Sequence, residues 1–311
     1  MTDTRFEQGR RPVHRTVKAQ APAKVNLHLE VLRLRHDGYH EVETVMQAVE
    51  IFDELEITLV EEYPGGAPTI ELEVEDGPSI PADETNLCWR AAARFCKQTG
   101  RSGHLVMHLK KGIPAAAGLG GGSSDAAAVL LACDRLFGTR LDPQDLEEMG
   151  TALGADVPFF IRGGTQLGRG IGATLTPLPP IRTGQFLIVK PDLDLSTADV
   201  YGNLKMGLTV NASKASIGVI KPILARFPQT TWPGFNRLEE AVLPQQPLLQ
   251  RLVFQLRETA PVAMLSGSGS AVVAVFRDGE DIAELVGDLT AAGLYVRIVR
   301  PYVSGVAIRD D

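Results

Sequence analysis

The sequence predicts an α+β fold in two domains with a cleft between them, and three observations predict it. At 311 residues, a single hydrophobic core usually gives way to two. Alternating apolar and polar residues mark strands in both halves, and longer segments with helical spacing lie between them. Residues 163–180 are rich in Gly, Thr and Pro, and the boundary between the halves falls near the end of that stretch. The chain accordingly divides into a tail over residues 1–16, an N-terminal domain over residues 17–180 and a C-terminal domain over residues 181–311.

The first strand is the clearest. Val25, Leu27, Leu29 and Val31 fall on one face, and Lys24, Asn26, His28 and Glu30 on the other, the period of a half-buried strand. Lys24 and Asn26 therefore point the same way. A turn follows at His36-Asp37-Gly38, then strands at about residues 42–49, 55–60 and 70–74. Residues 86–98 read as a helix started by Asp83 or Thr85, with Leu87, Ala91 and Phe95 on one face. Leu105, Met107 and Leu109 alternate as a strand. A loop over residues 110–122 precedes an alanine-rich helix over residues 123–137, stopped by Gly138. Asp142-Pro143 opens another helix in cap-then-first-turn order. In the second half we expect a strand at residues 186–189 and helices near residues 197–206, 213–227, 236–242 and 247–259. Strands at residues 262–265 and 271–276, a helix at residues 281–292 and a strand at residues 295–299 complete it.

Composition narrows the class. Charged residues make up 22% of the chain and the net charge is −7, which excludes a broad basic face for nucleic acid. A locally positive site for a small anion remains compatible with that charge. The three cysteines, Cys88, Cys96 and Cys133, form no CxxC pair and read as buried reduced thiols in a cytoplasmic protein. No apolar run approaches the roughly 20 residues that cross a bilayer, and the polar first twenty residues are unlike a signal peptide. We expect a small-molecule enzyme, monomeric or homodimeric, with no nucleic-acid or membrane partner.

The chemistry-bearing motif is Pro114-Ala-Ala-Ala-Gly118-Leu-Gly120-Gly121-Gly122-Ser123-Ser124, which has four glycines in five positions. Glycine loses more backbone entropy on ordering than any other residue, so such density needs a reason. It permits positive φ and lets a ligand approach bare main chain. The helix that follows offers unpaired N–H groups and a partial positive charge, successive amides form an anion nest, and Ser123 and Ser124 add hydroxyls. An ordinary capped turn accounts for one glycine and one serine only. The segment has no GxxxxGK[ST] pattern, and Gly118-x-Gly120-x-x-Ser123 lacks the third glycine of a dinucleotide fingerprint. The segment reads as a phosphate loop. A second loop, Ser266-Gly267-Ser268-Gly269-Ser270, is by itself a hairpin turn. Beside the first loop, Gly267 and Ser268 become candidates for bracing it or for meeting the transferred group.

Phosphoryl transfer needs in-line positioning, positive charge and a group that accepts or orients the hydroxyl proton. On local chemistry alone, Lys24 is a lysine at a strand start and Asp156 a helix cap ahead of Pro158. His104 and His108, four apart on a strand, read as surface residues and not as metal ligands.

Ala21-Pro22-Ala23-Lys24-Val25-Asn26-Leu27 and Arg35-His36-Asp37-Gly38-Tyr39-His40-Glu41-Val42-Glu43-Thr44-Val45, with the glycine loop and Leu265 to Ser270, resemble the three motifs of the GHMP kinase superfamily, in order. The Asp37-Gly38-Tyr39-His40 block resembles the branch that phosphorylates 4-diphosphocytidyl-2-C-methylerythritol in non-mevalonate isoprenoid synthesis. The resemblance implies a two-domain GHMP kinase fold, with a ferredoxin-like α/β sandwich as its C-terminal domain. It implies ATP as donor with Mg²⁺, and a cytidine-diphosphate-bearing substrate. Lys24 would stabilise charge at the reacting centre and Asp156 would take the hydroxyl proton. Asn26 would help place the erythritol, with Gly267 and Ser268 beside it. Tyr39, His40, Thr197 and Tyr201 would form the cytidine pocket, with Tyr201 stacking on the ring. Asn86 and Lys111 would flank adenine, and Pro114, Gly118, Gly120, Gly121, Gly122, Ser123 and Ser124 would hold the phosphates. Asp125 would cap the helix or hold hydrated Mg²⁺. The alternatives are another GHMP kinase, for homoserine, mevalonate or a sugar, and a non-catalytic nucleotide sensor. A sensor would be expected to lack Lys24, Asp156 or the loop.

Overall fold

Alternation carries the first two strands much further than their apolar cores suggest. The computed structural model describes residues 10–75, 80–204, 226–227 and 234–310. In it β1 spans Arg11–Leu34 and β2 spans His40–Pro64, paired antiparallel along nearly their whole length. The expected break between residues 49 and 55 is a bulge: Pro22 faces Phe52 while Ala23 faces Val49, so β2 carries two extra residues there. Proline cannot donate to the ladder, and a bulge lets the strand bend past it. Lys24 follows immediately.

β3 (Thr69–Glu75) and β4 (Arg101–Lys110) run parallel, joined by helix α1 (Leu87–Thr99). The start of α1 is capped by Asn86, whose side chain accepts the Cys88 N–H at 2.8 Å. Asp83 instead forms the preceding turn with Thr85. Helix α2 (Gly121–Phe137) begins two residues earlier than expected, because Gly120 takes φ +75° as its N-cap. α3 (Pro143–Thr151) starts at Asp142 as its spacing predicts, and α4 (Val157–Arg162) follows. Phe95, Phe159 and Phe160 anchor the core between these helices and the first sheet.

Residues 163–180, given no element by the sequence, are structured. They form a hairpin of β5 (Thr165–Gly170) and β6 (Thr174–Pro177), and β5 extends the first sheet by pairing with β2. Thr165, Gln166, Leu167 and Gly168 are all buried, so β5 has no in-and-out alternation for the sequence to display.

The second sheet comprises β7 (Gln185–Lys190), then β9 (Val262–Leu265), β10 (Val272–Phe276) and β11 (Tyr295–Val299), all antiparallel in the order β11-β7-β10-β9. Phe186 and Ile188 pack with Val25 and Leu27 of β1, while Leu187 and Val189 pack in the core of helix Pro247–Thr259. Both faces are covered, which is why β7 reads as an unbroken apolar run. Two strands return to the first sheet: β8 (Phe235–Asn236) runs parallel to β1, and β12 (Ala307–Asp310) antiparallel to it. The first sheet thus takes two of its strands from residues 181–311. Helix α5 covers Thr197–Gly202. Most of the helix expected over residues 213–227 lies outside the described residues, and residues 236–242 hold the end of β8 and a short helix, Glu239–Val242.

All three cysteines are free and buried, and burial pushes the Cys96 thiol up to about 12, so they act as small core residues. Among the described residues, no helix is long and apolar enough to cross a membrane.

Phe160 is fully buried, edge-on to Phe159 at 5.1 Å, and lies under the glycine loop. Phe160→Ala should lower stability by about 3–5 kcal/mol in urea unfolding. A loss under about 1 kcal/mol would mean that the ring is not the support this packing describes.

Candidate active site

A cavity of about 1310 Å³ opens between the glycine loop, β1, α5 and the second Gly/Ser loop. It has a loop end, a charged centre and an aromatic end.

At the loop end the backbone does most of the building. The Lys24 N–H donates to the Leu119 carbonyl at 2.9 Å, fixing the loop against β1. No side chain caps α2, so its first amides remain available to an anion. The second loop braces the first. Ser266 Oγ donates to the Gly118 carbonyl at 3.0 Å, and the Ala271 N–H donates to the Ala117 carbonyl at 3.1 Å. Gly118 has φ +72°, and a Cβ there would meet the Ser266 carbonyl oxygen at 2.0 Å. Pro114, Gly120, Gly121, Gly122 and Ser123 line the cavity with it. Ser124 does not: it is fully buried, and its hydroxyl donates to the Pro22 carbonyl at 2.7 Å. Its expected phosphate contact gives way to a structural one.

At the centre, Lys24 Nζ donates to Asn26 Oδ1 at 2.6 Å and faces Asp156 Oδ2 at 3.6 Å. The lysine side chain is 5% exposed and that of Asp156 36%. Asp156 precedes α4 but makes no side-chain cap there, so its carboxylate is directed to the cavity and not to the helix. Asn26 Nδ2 donates to Thr44 Oγ1 at 2.8 Å, and Thr44 donates onward to the His28 carbonyl at 2.8 Å. Thr44 thus orients the amide that holds Lys24. Sequence reasoning passed over it, although the turn at residues 36–38 implies that strand residues in the twenties pair with residues in the forties. Gly267 and Ser268 border the same space, with Gly267 close enough that a Cβ would lie 3.4 Å from Lys24 Nζ. Asn236, also overlooked, donates to the Leu265 and Gly267 carbonyls at 2.9 and 2.7 Å and so fixes this loop.

At the aromatic end, the rings of His40 and Tyr201 lie 5.1 Å apart at 37°. Burial, with Asp156 adding to it, raises the Tyr201 phenol well above its ordinary range, so it stays a neutral donor. Thr197 Oγ1 and Ser268 Oγ are 2.9 Å apart, and Tyr39 stands exposed at the rim.

Asn86 and Lys111 border the loop end, but both polar heads are engaged within the fold. Asn86 Nδ2 donates to the Pro81 carbonyl at 2.7 Å while its oxygen caps α1. Lys111 bridges Asp53 and Asp125. Asp125 is the fifth residue of α2, past the first turn, and is neither a cap nor an exposed metal ligand. No cluster of three His, Cys, Asp or Glu ligands occurs among the described residues. His104 and His108 pair with Glu71 and Glu73 on the sheet.

The sequence model described as the GHMP kinases N terminal domain matches residues 86–164. A protein of Geobacter sulfurreducens named 4-diphosphocytidyl-2-C-methyl-D-erythritol kinase is 38% identical over 275 residues, covering 88% of this chain and 94% of that protein. A protein of Paenarthrobacter aurescens with the same name is 35% identical over 96% of this chain and 97% of its own. A crystal structure of 4-(cytidine 5'-diphospho)-2C-methyl-D-erythritol kinase superposes with a TM-score of 0.74 at 32% identity, over 91% of this chain and 99% of that one. Homoserine kinase from Cytophaga hutchinsonii superposes at 0.73 over 96% and 99% of the two chains, but at 19% identity, which is a likeness of fold alone.

Gly118→Ala should weaken ATP binding by at least about tenfold in a direct titration, because the new methyl group drives the two loops apart. Unchanged affinity would show that the contact between the loops does not shape the site.

Proposed function

The chain belongs to the 4-diphosphocytidyl-2-C-methyl-D-erythritol kinase family of the GHMP kinases, and from that premise we propose how it acts. It transfers the γ-phosphoryl group of ATP to the 2-hydroxyl of 4-diphosphocytidyl-2-C-methyl-D-erythritol, giving the 2-phosphate and ADP, in the non-mevalonate route to isoprenoid precursors. One observation carries this reading. A single cavity joins an anion-binding glycine loop to an aromatic pair, with a lysine and a carboxylate 3.6 Å apart between them.

The chemistry is positioning and charge. Main-chain amides between Ala117 and Ser123 hold the phosphates. The substrate hydroxyl lies beside Asp156, which accepts its proton as the oxygen attacks the γ-phosphorus and the bond to the β–γ bridging oxygen breaks. Lys24, buried at the centre of the cavity, offsets the developing negative charge where water cannot screen it. His40 and Tyr201 receive the cytosine, a stacking contribution of about 1–3 kcal/mol, and buried polar groups around the ring reject bases that leave them unpaired.

Mg²⁺ belongs to the same proposal. The described residues build no cage of carboxylates, which suits an ion held chiefly by phosphates and water. Ser123, which borders the cavity at the start of α2, would be the protein group available to it. The ion would neutralise phosphate charge. Three buried reduced thiols and ATP as donor fit a cytoplasmic enzyme.

Coupled ADP release, tested with the cytidine substrate, mevalonate and homoserine, should respond to the first alone. Release with either of the others in its place would overturn the reading. Asp156→Asn should keep ATP binding and lower kcat by roughly 100- to 10,000-fold; full turnover would remove the base assignment. Tyr201→Ala should raise KM for the cytidine substrate about tenfold and leave KM for ATP nearly unchanged. Equal effects on both would argue against stacking at that end.

A further inference from the structure

Three charged side chains lie under the glycine loop and take no part in the transfer step. Asp53, on β2, is fully buried, and the side chains of Lys111 and Asp125 are 6% and 4% exposed. The Lys111 ammonium donates to Asp53 Oδ2 and, at 2.6 Å, to Asp125 Oδ2. Asp53 Oδ1 accepts the backbone N–H groups of Gly112 and Ile113 at 2.7 and 2.8 Å. One carboxylate therefore grips the chain as it leaves β4 toward the loop. Through Lys111 it also grips α2, into which the loop runs.

Stability alone does not account for such a cluster, since well-packed apolar residues would serve at least as well. Two carboxylates share one ammonium, and Asp125 Oδ1 has no hydrogen-bond partner among the described residues. Burial pushes the Asp125 carboxyl well above its ordinary range, with Lys111 opposing and Asp53 adding. The Cys88 thiol of α1 faces the same cluster and is held neutral, chiefly by burial. What the cluster does achieve is geometric: it fixes both ends of the loop at one spacing.

We propose that Asp53 is a positioning residue for the nucleotide, setting the glycine loop through the Gly112 and Ile113 amides and through the Lys111–Asp125 pair. The proposal rests on the reading of that loop as the ATP phosphate site. It gives Lys111 a role distinct from contact with the base, because its ammonium is engaged by two carboxylates.

ATP titrations without second substrate separate the possibilities, using the wild type, Asp53→Asn, Lys111→Met and the double variant. Each single variant should weaken ATP binding on the order of tenfold. KM for the cytidine substrate should stay within about twofold. The double variant should bind no more weakly than the worse single one, because the groups act as a unit. Additive losses would mean that Lys111 meets the nucleotide by itself, and unimpaired ATP binding by Asp53→Asn would also overturn the proposal. A wild type that does not bind ATP would instead remove the reading of the loop. Amide hydrogen exchange on the wild type tests the same point without a variant. The Gly112 and Ile113 amides should be protected in the absence of nucleotide, and exchange at unprotected rates would overturn the proposal.

Discussion

An ammonium group out of reach of water must be compensated, or it costs several kcal/mol. That of Lys24 is compensated by Asn26 Oδ1 at 2.6 Å and by the Asp156 carboxylate at 3.6 Å, and much of the surrounding architecture follows from keeping it there. The bulge after Pro22 lets β1 bend just ahead of it. Its own backbone N–H anchors the loop at Leu119. A Cβ at Gly120 would lie 3.1 Å from its side chain, and one at Gly267 3.4 Å from its Nζ. These glycines thus serve two ends: they leave main chain bare at the cavity, and they leave room for the lysine beside them.

The glycine loop was legible because its composition has no cheap alternative explanation. Lys24 and Asp156 were not legible from local chemistry: they lie 132 residues apart in the chain, and only the fold brings them together, so resemblance to a family had to supply what spacing could not. Asp53 shows the limit more sharply. It sits beside the bulge of β2, and nothing in the sequence there signals that its carboxylate will accept amides from Gly112 and Ile113. The fold was legible where apolar spacing is regular, as in β4, or where an apolar run is unbroken, as in β7. It was misread where Gly and Thr dilute the pattern, as in the β5–β6 hairpin, and where a bulge absorbs the break, as at residues 50–54. The return of β8 and β12 to the first sheet involves strands of two and four residues, too short for periodicity to detect.

A chain of net charge −7 that binds a polyanion must manage its own acids near the phosphates. The two carboxylates bordering the loop, Asp156 and Asp125, each have a lysine. Lys24 faces Asp156 on the cavity side, and Lys111 holds Asp125 behind the helix. The difference between the pairs is exposure. Asp156 is open enough to meet a substrate hydroxyl, whereas Asp125 is sealed and can only support. The same residue types therefore divide into a pair open to the cavity and a sealed pair, according to whether solvent reaches the carboxylate.

How the two sheets meet explains why such a division can be held. The glycine loop comes from the first sheet and its brace from the second, so any sliding between the sheets would open the phosphate site. Three sets of bonds oppose that sliding. Ser266 and Ala271 bond directly to the Gly118 and Ala117 carbonyls. Asn236, on a strand paired with β1, holds the Leu265 and Gly267 carbonyls. The chain end returns as β12 to the other side of β1. Because β1 also carries Lys24 and Asn26, the strand that positions the ammonium is the one against which both loops are registered. The buried lysine and the glycine loop therefore share a single frame.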